Sequence, residues 1–128
     1  QAVHALDELV NEGRSHMLGI MNENAMLMVF CTFPDAAVAR QIGTELVSAQ
    51  LAACVNLCPA VESIYRWQGA VETAAEVLAV FKTTAAAWPR FEQRLAALHP
   101  YDTPEIVALR PEAVAERYAA WVADSVRG

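Results

Sequence analysis

Three observations on the sequence predict one small α+β domain. From residue 26 onward, apolar runs of strand length alternate with stretches in which apolar residues recur at helical spacing. The order is β-α-β-β-α-β-α, and a short turn at residues 68–70 joins the two middle strands. The chain has 128 residues, of which 55% are apolar, and that is enough for one core. The order is the split βαβ, or ferredoxin-like, pattern with an extra C-terminal helix.

The first half of the domain is predicted as strand, helix and strand. Leu27–Phe33 is a continuous apolar run, typical of a central strand that is covered on both faces. Asp35 follows and is placed to cap a helix, which the apolar spacing continues to about Gln50. Cys54–Trp67 is rich in β-branched and aromatic residues, so we expect a second strand, with a bulge or bend at Pro59.

The second half is predicted as strand, helix, short strand and helix. Val71–Thr83 is the partner strand of the hairpin, and the second helix carries an apolar stripe formed by Trp88, Phe91, Leu95 and Leu98. Two prolines make residues 99–104 a loop, and Glu105–Leu109 is a short strand. Pro111 is expected to begin the last helix, whose apolar face consists of Val114, Tyr118, Trp121 and Val122.

The central hairpin predicts an oligomer. Each arm of about 12 residues would extend roughly 40 Å, whereas a domain of this size has a radius of gyration of about 13 Å. The outer half of the hairpin carries large apolar side chains that a lone ribbon would expose, namely Val61, Ile64, Tyr65 and Trp67. We therefore expect the ribbon and the last helix to pack on neighbouring subunits. The alternative is that Pro59 breaks the strand and folds the tip back onto its own sheet.

Charge and composition exclude several classes of protein. The net charge of −6 and the absence of a Lys/Arg cluster argue against nucleic-acid or anionic-membrane partners. The longest apolar runs are far shorter than the roughly 18 residues that a membrane span requires. The three cysteines are an odd number, which favours reduced thiols in a cytoplasmic protein over a disulfide framework.

The first 25 residues differ in character from the rest. A short amphipathic stretch is interrupted by asparagines and glycine, and Gly13–Met17 resembles a cloning junction. We expect residues 1–25 to be an N-terminal extension or an expression leader that is poorly ordered. Residues 26–128 are then the folded domain.

Several motifs occur in a fixed order along this domain. They are Phe30-Cys31-Thr32 followed by Pro34-Asp35, then Leu51–Asn56, Ser63–Gly69, Phe81-Lys82-Thr83, His99–Glu105 and Tyr118–Trp121. Together they resemble the CutA family of divalent-cation tolerance proteins, over residues 26–128 without a large gap. The resemblance implies a homotrimer in the bacterial cytoplasm, shaped like the PII signalling proteins, with hairpins that pair across subunits and clefts between them. It also implies copper binding and a role in tolerance to divalent metals, without a known catalytic reaction.

His99 and Cys31 are the candidate metal ligands, because imidazole and thiolate suit copper or zinc. Copper sites of the family use a cysteine at the position of Cys31 and two adjacent histidines, the first of which is Leu98 here. The alternatives are that Cys31 is plain core and that His99 makes hydrogen bonds at a helix end. Cys54 and Cys58 would lie roughly 13 Å apart on a regular strand, too far to share one ion.

A second group of candidate residues suits a ligand cleft between subunits. It combines aromatic walls with a cation and a carboxylate: Tyr65, Trp67, Lys82, Tyr101 and Glu105. The alternative is an ion pair between Lys82 and Glu105 inside an aromatic interface.

No nucleophile elbow, phosphate loop or metalloprotease helix occurs in the sequence, so we expect no enzymatic activity. The sequence therefore predicts a trimeric cytoplasmic protein for divalent-cation tolerance that binds copper or another divalent ion weakly. The alternative is a PII-like sensing module that binds a small anion in the cleft.

Overall fold

The computed structural model describes residues 22–127 and confirms the predicted order of elements. The elements are β1 (Met26–Phe33), α1 (Ala36–Ser48), β2 (Cys54–Trp67), β3 (Ala70–Thr84), α2 (Trp88–Leu98), β4 (Ile106–Leu109) and α3 (Glu116–Ser125). The four strands form one antiparallel sheet in the order β2-β3-β1-β4. This is the ferredoxin-like arrangement, in which the first and third strands lie at the centre.

The predicted leader falls largely outside the described residues, which begin at residue 22. Two of the four described positions before β1 make hydrogen bonds with the domain. The carbonyl of Ala25 accepts from the Ala85 N–H at 2.9 Å, and the carbonyl of Glu23 accepts from the Ala86 N–H at 3.1 Å.

The core lies between the sheet and the two helices α1 and α2. Alternate residues of β1 and β3 point into it and are fully buried: Val29, Cys31, Phe33, Ala79 and Phe81. They meet the apolar stripes of the helices, which include Leu46 of α1, and Phe91 and Leu95 of α2. The predicted cap of α1 is confirmed, because the Asp35 carboxylate accepts a hydrogen bond from the Val38 N–H at 2.8 Å.

The hairpin of β2 and β3 is long, as the sequence predicts. Its first strand has 14 residues, or about 46 Å at a rise of about 3.3 Å per residue. Gln68 and Gly69 form the two-residue turn, both with positive φ (49° and 83°), and this turn pairs Trp67 with Ala70. Positive φ at both central positions is typical of a hairpin turn whose twist matches that of the strands.

The bulge predicted at Pro59 is confirmed and decides which side chains share a face. Cys58 pairs with Leu78 and Val61 pairs with Glu76, so that β2 advances three residues where β3 advances two. One extra residue in a strand exchanges the two faces of the residues that follow it. After the bulge, the odd-numbered residues from Val61 to Trp67 therefore lie on the same face of the sheet as Cys58, which precedes the bulge.

The start of α3 corrects the sequence prediction. Pro111 does not begin this helix, because residues 111–115 are irregular and the helix starts at Glu116. Ala115, at the cap position, is not helical (φ −54°, ψ 131°), and no side chain caps the helix. An acidic residue in the first turn interacts favourably with the helix dipole, which favours a start at Glu116. Within residues 22–127, no helix is long and apolar enough to cross a membrane.

The face of the sheet opposite α1 and α2, here called the outer face, is incompletely covered. Phe30, Leu78 and Val80 at its centre are only half-buried. On the edge strand β4, Val107 is 46% exposed and Leu109 is 49% exposed. Apolar groups on the middle of a sheet are normally covered by a second layer.

Candidate functional site

His99 lies at the C-terminal end of α2, and both of its ring nitrogens are engaged. Nδ1 accepts a hydrogen bond from the Tyr101 N–H at 3.1 Å. Since a backbone N–H can only donate, Nδ1 carries no proton, and Nε2–H donates to the Thr32 carbonyl at 2.8 Å. The ring also stacks on Phe33 with 4.8 Å between centroids. Burial lowers the pKa of His99 from its ordinary value of 6.5, which keeps the imidazole neutral.

Tyr101 connects the loop after α2 to the hairpin. Its hydroxyl donates to the Glu76 carboxylate at 2.6 Å, and its ring lies 4.8 Å from that of His99. Burial, followed by the hydrogen bond to Glu76, raises the pKa of the Tyr101 hydroxyl. The chain of contacts from Thr32 through His99 and Tyr101 to Glu76 therefore joins β1, the loop and β3 into one unit.

A cavity of about 650 Å³ opens between the hairpin and this loop. Its walls include three aromatic rings and four carboxylates, and the lining residues are Thr32, Ser63, Ile64, Tyr65, Trp67, Glu72, Glu76, Tyr101, Asp102, Thr103 and Glu105. None of these described lining residues is Lys, Arg or His. The cavity is therefore acidic and aromatic, and its charge favours cations.

The hairpin turn and the bulge together build one wall of the cavity. The turn sets the register in which Tyr65 pairs with Glu72 and Val61 pairs with Glu76. Directly paired residues of antiparallel strands point to the same face, so both glutamates lie on the face of Tyr65. Without the extra residue at Pro59, this part of β2 would present its other face to the loop.

Four of the five residues predicted for the cleft line this cavity, namely Tyr65, Trp67, Tyr101 and Glu105. Lys82 does not. Its Nζ donates to the Asn56 side-chain oxygen and lies 3.7 Å from Cys54 Sγ. In the described part of the chain it makes no ion pair with Glu105.

The sheet register explains why Lys82 and Glu105 stay apart. Lys82 pairs with Met28, whereas β4 begins opposite Cys31, which leaves Glu105 level with Thr32. Four residues along a strand correspond to about 13 Å, beyond the reach of a direct ion pair. Lys82 and Glu105 therefore form no ion pair within one chain, and the alternative of a pair across a subunit interface stays a prediction.

Cys31 lies in the core beside the cavity. Its side chain is fully buried, and its Sγ lies 3.8 Å from the Thr32 carbonyl oxygen. Burial, and then the negative charges of Glu105 and Glu76, raise the pKa of the thiol to about 12. A metal ion binds the thiolate, so ligation at Cys31 would require the loss of a proton that this environment retains.

Cys54 and Cys58 occupy the regular part of β2, opposite Lys82 and Leu78 respectively. Cys54 Sγ lies 3.4 Å from the Tyr118 hydroxyl oxygen, and this contact, followed by burial, raises the pKa of Tyr118 to about 12. All three cysteines are free thiols. Among residues 22–127, no group of three or more His, Cys, Asp or Glu side chains is arranged to hold a metal ion.

Comparison with known proteins agrees with the fold and with the motifs. The family described as CutA1 divalent ion tolerance protein matches residues 27–125. The chain belongs to the CutA1 family. The divalent-cation tolerance protein CutA of Thermus thermophilus is 46% identical over 98 residues, which are 77% of this chain and 95% of that relative.

Solved structures of the CutA1 family share the fold. The structure of the Thermus thermophilus protein has a TM-score of 0.78 and 44% identity, and the match covers 80% of this chain and 99% of that one. The rice protein CutA 1, chloroplastic, is 35% identical over 79% of this chain, and the human protein CutA is 40% identical over 73%. The matches span 57% of the rice relative and 52% of the human one.

Sequence reasoning missed two of the acidic residues in this CutA1 chain, namely Glu72 and Glu76. A signal for both was present, because the two-residue turn, once it is recognised, fixes Tyr65 opposite Glu72, and Glu76 lies on the same face of β3. The contact between Glu76 and Tyr101 joins elements 25 positions apart, and no local pattern indicates it.

Proposed function

We propose that this chain acts in divalent-cation tolerance as a cytoplasmic homotrimer without enzymatic activity, and that it binds divalent ions weakly in the acidic cavity. The observation that carries the proposal is the set of four carboxylates, Glu72, Glu76, Asp102 and Glu105, around one cavity without a basic lining residue. The family to which the chain belongs is described as a divalent ion tolerance family, which supports the role.

The donor set supports weak binding. Carboxylates are hard ligands, which suit Mg²⁺, Mn²⁺ and Ca²⁺ better than they suit copper. The two metal-binding side chains expected from the sequence are poorly suited to ligation. Both ring nitrogens of His99 are engaged in hydrogen bonds, and Cys31 is a buried thiol. Copper or another divalent ion would therefore be attracted by the summed charge of the cavity rather than be held in a closed coordination shell.

The trimer is supported by the surface that a single chain leaves uncovered. On the hairpin Ile64 is 68% exposed and Val71 65%, and on α3 Trp121 is 46% exposed. The apolar centre of the outer face is also incompletely covered. Large apolar side chains exposed on the hairpin, on α3 and on the sheet are what subunit contacts would cover.

A cytoplasmic location is supported by the three free thiols, since disulfides form readily in oxidising compartments. The names of two relatives give other locations. The rice relative is called chloroplastic, and a structure from Archaeoglobus fulgidus is called periplasmic.

Calorimetric titration with Mn²⁺, Zn²⁺ and Cu²⁺ tests the proposal, with light scattering to measure the subunit number. We expect weak saturable binding to a trimer, and a loss of most of that binding in a Glu72→Gln/Glu105→Gln variant. Glu62→Gln is the matched control, because Glu62 lies on the same hairpin and outside the cavity lining. Binding that survives the double substitution, or that disappears in His99→Ala alone, would place the ion elsewhere.

A second candidate function is a small-molecule sensing module that uses the same cavity. The cavity has aromatic walls formed by Tyr65, Trp67 and Tyr101. These walls favour an organic ligand, because coordination of a bare metal ion does not involve aromatic surface. The small anion expected from the sequence required Lys82, whose ammonium group lies outside the cavity lining. The charge of the cavity favours a cationic ligand instead.

A further inference from the structure

The size and the walls of the cavity exceed what a metal ion requires. A volume of about 650 Å³ lies within the range of about 300–1,000 Å³ that is typical of sites for small organic molecules. Trp67 and Tyr65 supply aromatic surface from the hairpin, and they remain 48% and 41% exposed in one chain. Aromatic faces attract organic cations, and carboxylates pair with them.

A buried hydroxyl in the cavity wall has no partner within residues 22–127. Thr32 lines the cavity and is only 8% exposed, yet its side-chain oxygen makes no hydrogen bond with the described residues. The side-chain donors that contact Thr32 reach its backbone carbonyl, which accepts from His99 Nε2–H and lies 3.8 Å from Cys31 Sγ. A buried hydroxyl without a partner is costly, and a ligand that carries an N–H group would satisfy it.

The carboxylates lie on both walls of the cavity. Glu72 and Glu76 come from β3, whereas Asp102 and Glu105 come from the loop before β4. Glu76 already accepts the Tyr101 hydroxyl, so its orientation is fixed before a ligand arrives. Two acidic walls that face one cavity favour a ligand with positive charge at one or both ends.

We propose that the cavity binds a small aliphatic ammonium ion, whose N–H groups meet Thr32 and Glu105 and whose hydrocarbon chain lies against Tyr65 and Trp67. Aliphatic amines are protonated at neutral pH, as the lysine side chain is. The inference rests on the same cavity as the proposed function and names a different class of ligand for it. An ammonium ion uses the aromatic walls and the free hydroxyl, which a divalent metal ion does not.

Three probes of matched size or charge separate the two ligand classes in calorimetric titrations of the full chain. They are butane-1,4-diamine, Mg²⁺, which has the same charge but no hydrocarbon, and butane-1,4-diol, which has the same skeleton without charge. We expect the diamine to bind at least about tenfold more tightly than Mg²⁺, and the diol to show no saturable binding. Binding of the diol equal to that of the diamine overturns the inference, and so does a complete absence of diamine binding.

Two substitutions test the contacts. Thr32→Val removes the hydroxyl, keeps the shape and leaves no new unpaired group, so we expect unchanged or higher stability and about tenfold weaker diamine binding. Trp67→Leu is expected to weaken diamine binding by a similar factor and to change the affinity for Mg²⁺ by no more than about twofold. Glu62→Gln should change neither, and light scattering checks that each variant keeps its subunit number.

The outcomes for the ammonium ion and for the metal are distinguishable. Diamine binding without any binding of divalent metals contradicts the proposed function and leaves the ammonium inference standing. Equal affinity for the diamine and Mg²⁺, with no effect of Thr32→Val or Trp67→Leu, overturns the ammonium inference and supports a site that responds to charge alone.

Discussion

His99 supplies the hydrogen bonds that tie the loop after α2 to the sheet, and His99→Phe removes them while it keeps a ring in place. The Thr32 carbonyl, in a residue that is 8% exposed, loses its imidazole donor, at a cost of about 1–3 kcal/mol. The Tyr101 N–H is half-buried and loses its acceptor, which costs about 1 kcal/mol. We expect the free energy of unfolding to fall by about 2–4 kcal/mol in total.

The contribution of His99 to the stability of the fold is expected to decrease as the pH falls. The pKa of His99 is lowered in the folded protein by burial, so folding favours the neutral ring. The contribution of His99 is therefore complete above its ordinary pKa of 6.5 and is lost as the pH falls through the lower pKa of the folded state. The difference in stability between the wild type and His99→Phe should shrink on acidification.

Urea unfolding, followed by circular dichroism at one protein concentration and at pH 7.5 and 5.5, measures both effects. His99→Gln and His99→Asn are the matched controls, because each keeps an amide that can replace one of the two ring contacts. They should lie between the wild type and His99→Phe. A His99→Phe variant as stable as the wild type, or a stability difference that does not change with pH, would show that the neutral His99 ring does not stabilise the fold.

Three further predictions concern residues outside the His99 contacts. Asp35→Ala should lower the free energy of unfolding by about 1 kcal/mol through loss of the Val38 cap, and Asp35→Ser should restore most of it; equal urea midpoints for all three proteins would contradict this. Lys82→Met should change the affinity for cavity ligands, measured by calorimetry, by no more than about twofold, because Lys82 lies outside the lining. A loss of binding would show that Lys82 takes part in the site. Iodoacetamide at pH 8 should leave Cys31 unmodified in the folded protein, because burial raises its pKa to about 12, and should modify it in guanidinium; mass spectrometry that finds native Cys31 alkylated would contradict this.

Much of the fold could be predicted from the sequence because several of its features depend on interactions between neighbouring residues. The oxygen of Asp35, the ring of Pro59 and the turn at Gln68 and Gly69 each act on neighbouring residues, so the sequence places the cap, the bulge and the hairpin correctly. The start of α3 was misplaced because Pro111 is acceptable both in a first helical turn and in the irregular segment that the structure contains.

The candidate site was predictable only where it depends on local spacing. Tyr65 and Trp67 alternate along one strand and were found, and the aromatic residue of the loop at Tyr101 was found through its motif. Lys82 and Glu105 do not meet within one chain, because the register between β1 and its two neighbours keeps them apart and hydrophobic patterning does not determine that register. The contact of Tyr101 with Glu76 depends on tertiary packing for the same reason.

Paramagnetic broadening of amide NMR signals during a Mn²⁺ titration shows where cations bind on the protein. We expect the amides of Glu72, Glu76, Asp102 and Glu105 to broaden first, and the Glu72→Gln/Glu105→Gln variant to lose this broadening while Glu62→Gln retains it. Broadening that is unchanged in the double variant, or that is centred on Cys54 and Lys82, would show that cations do not bind in the acidic cavity.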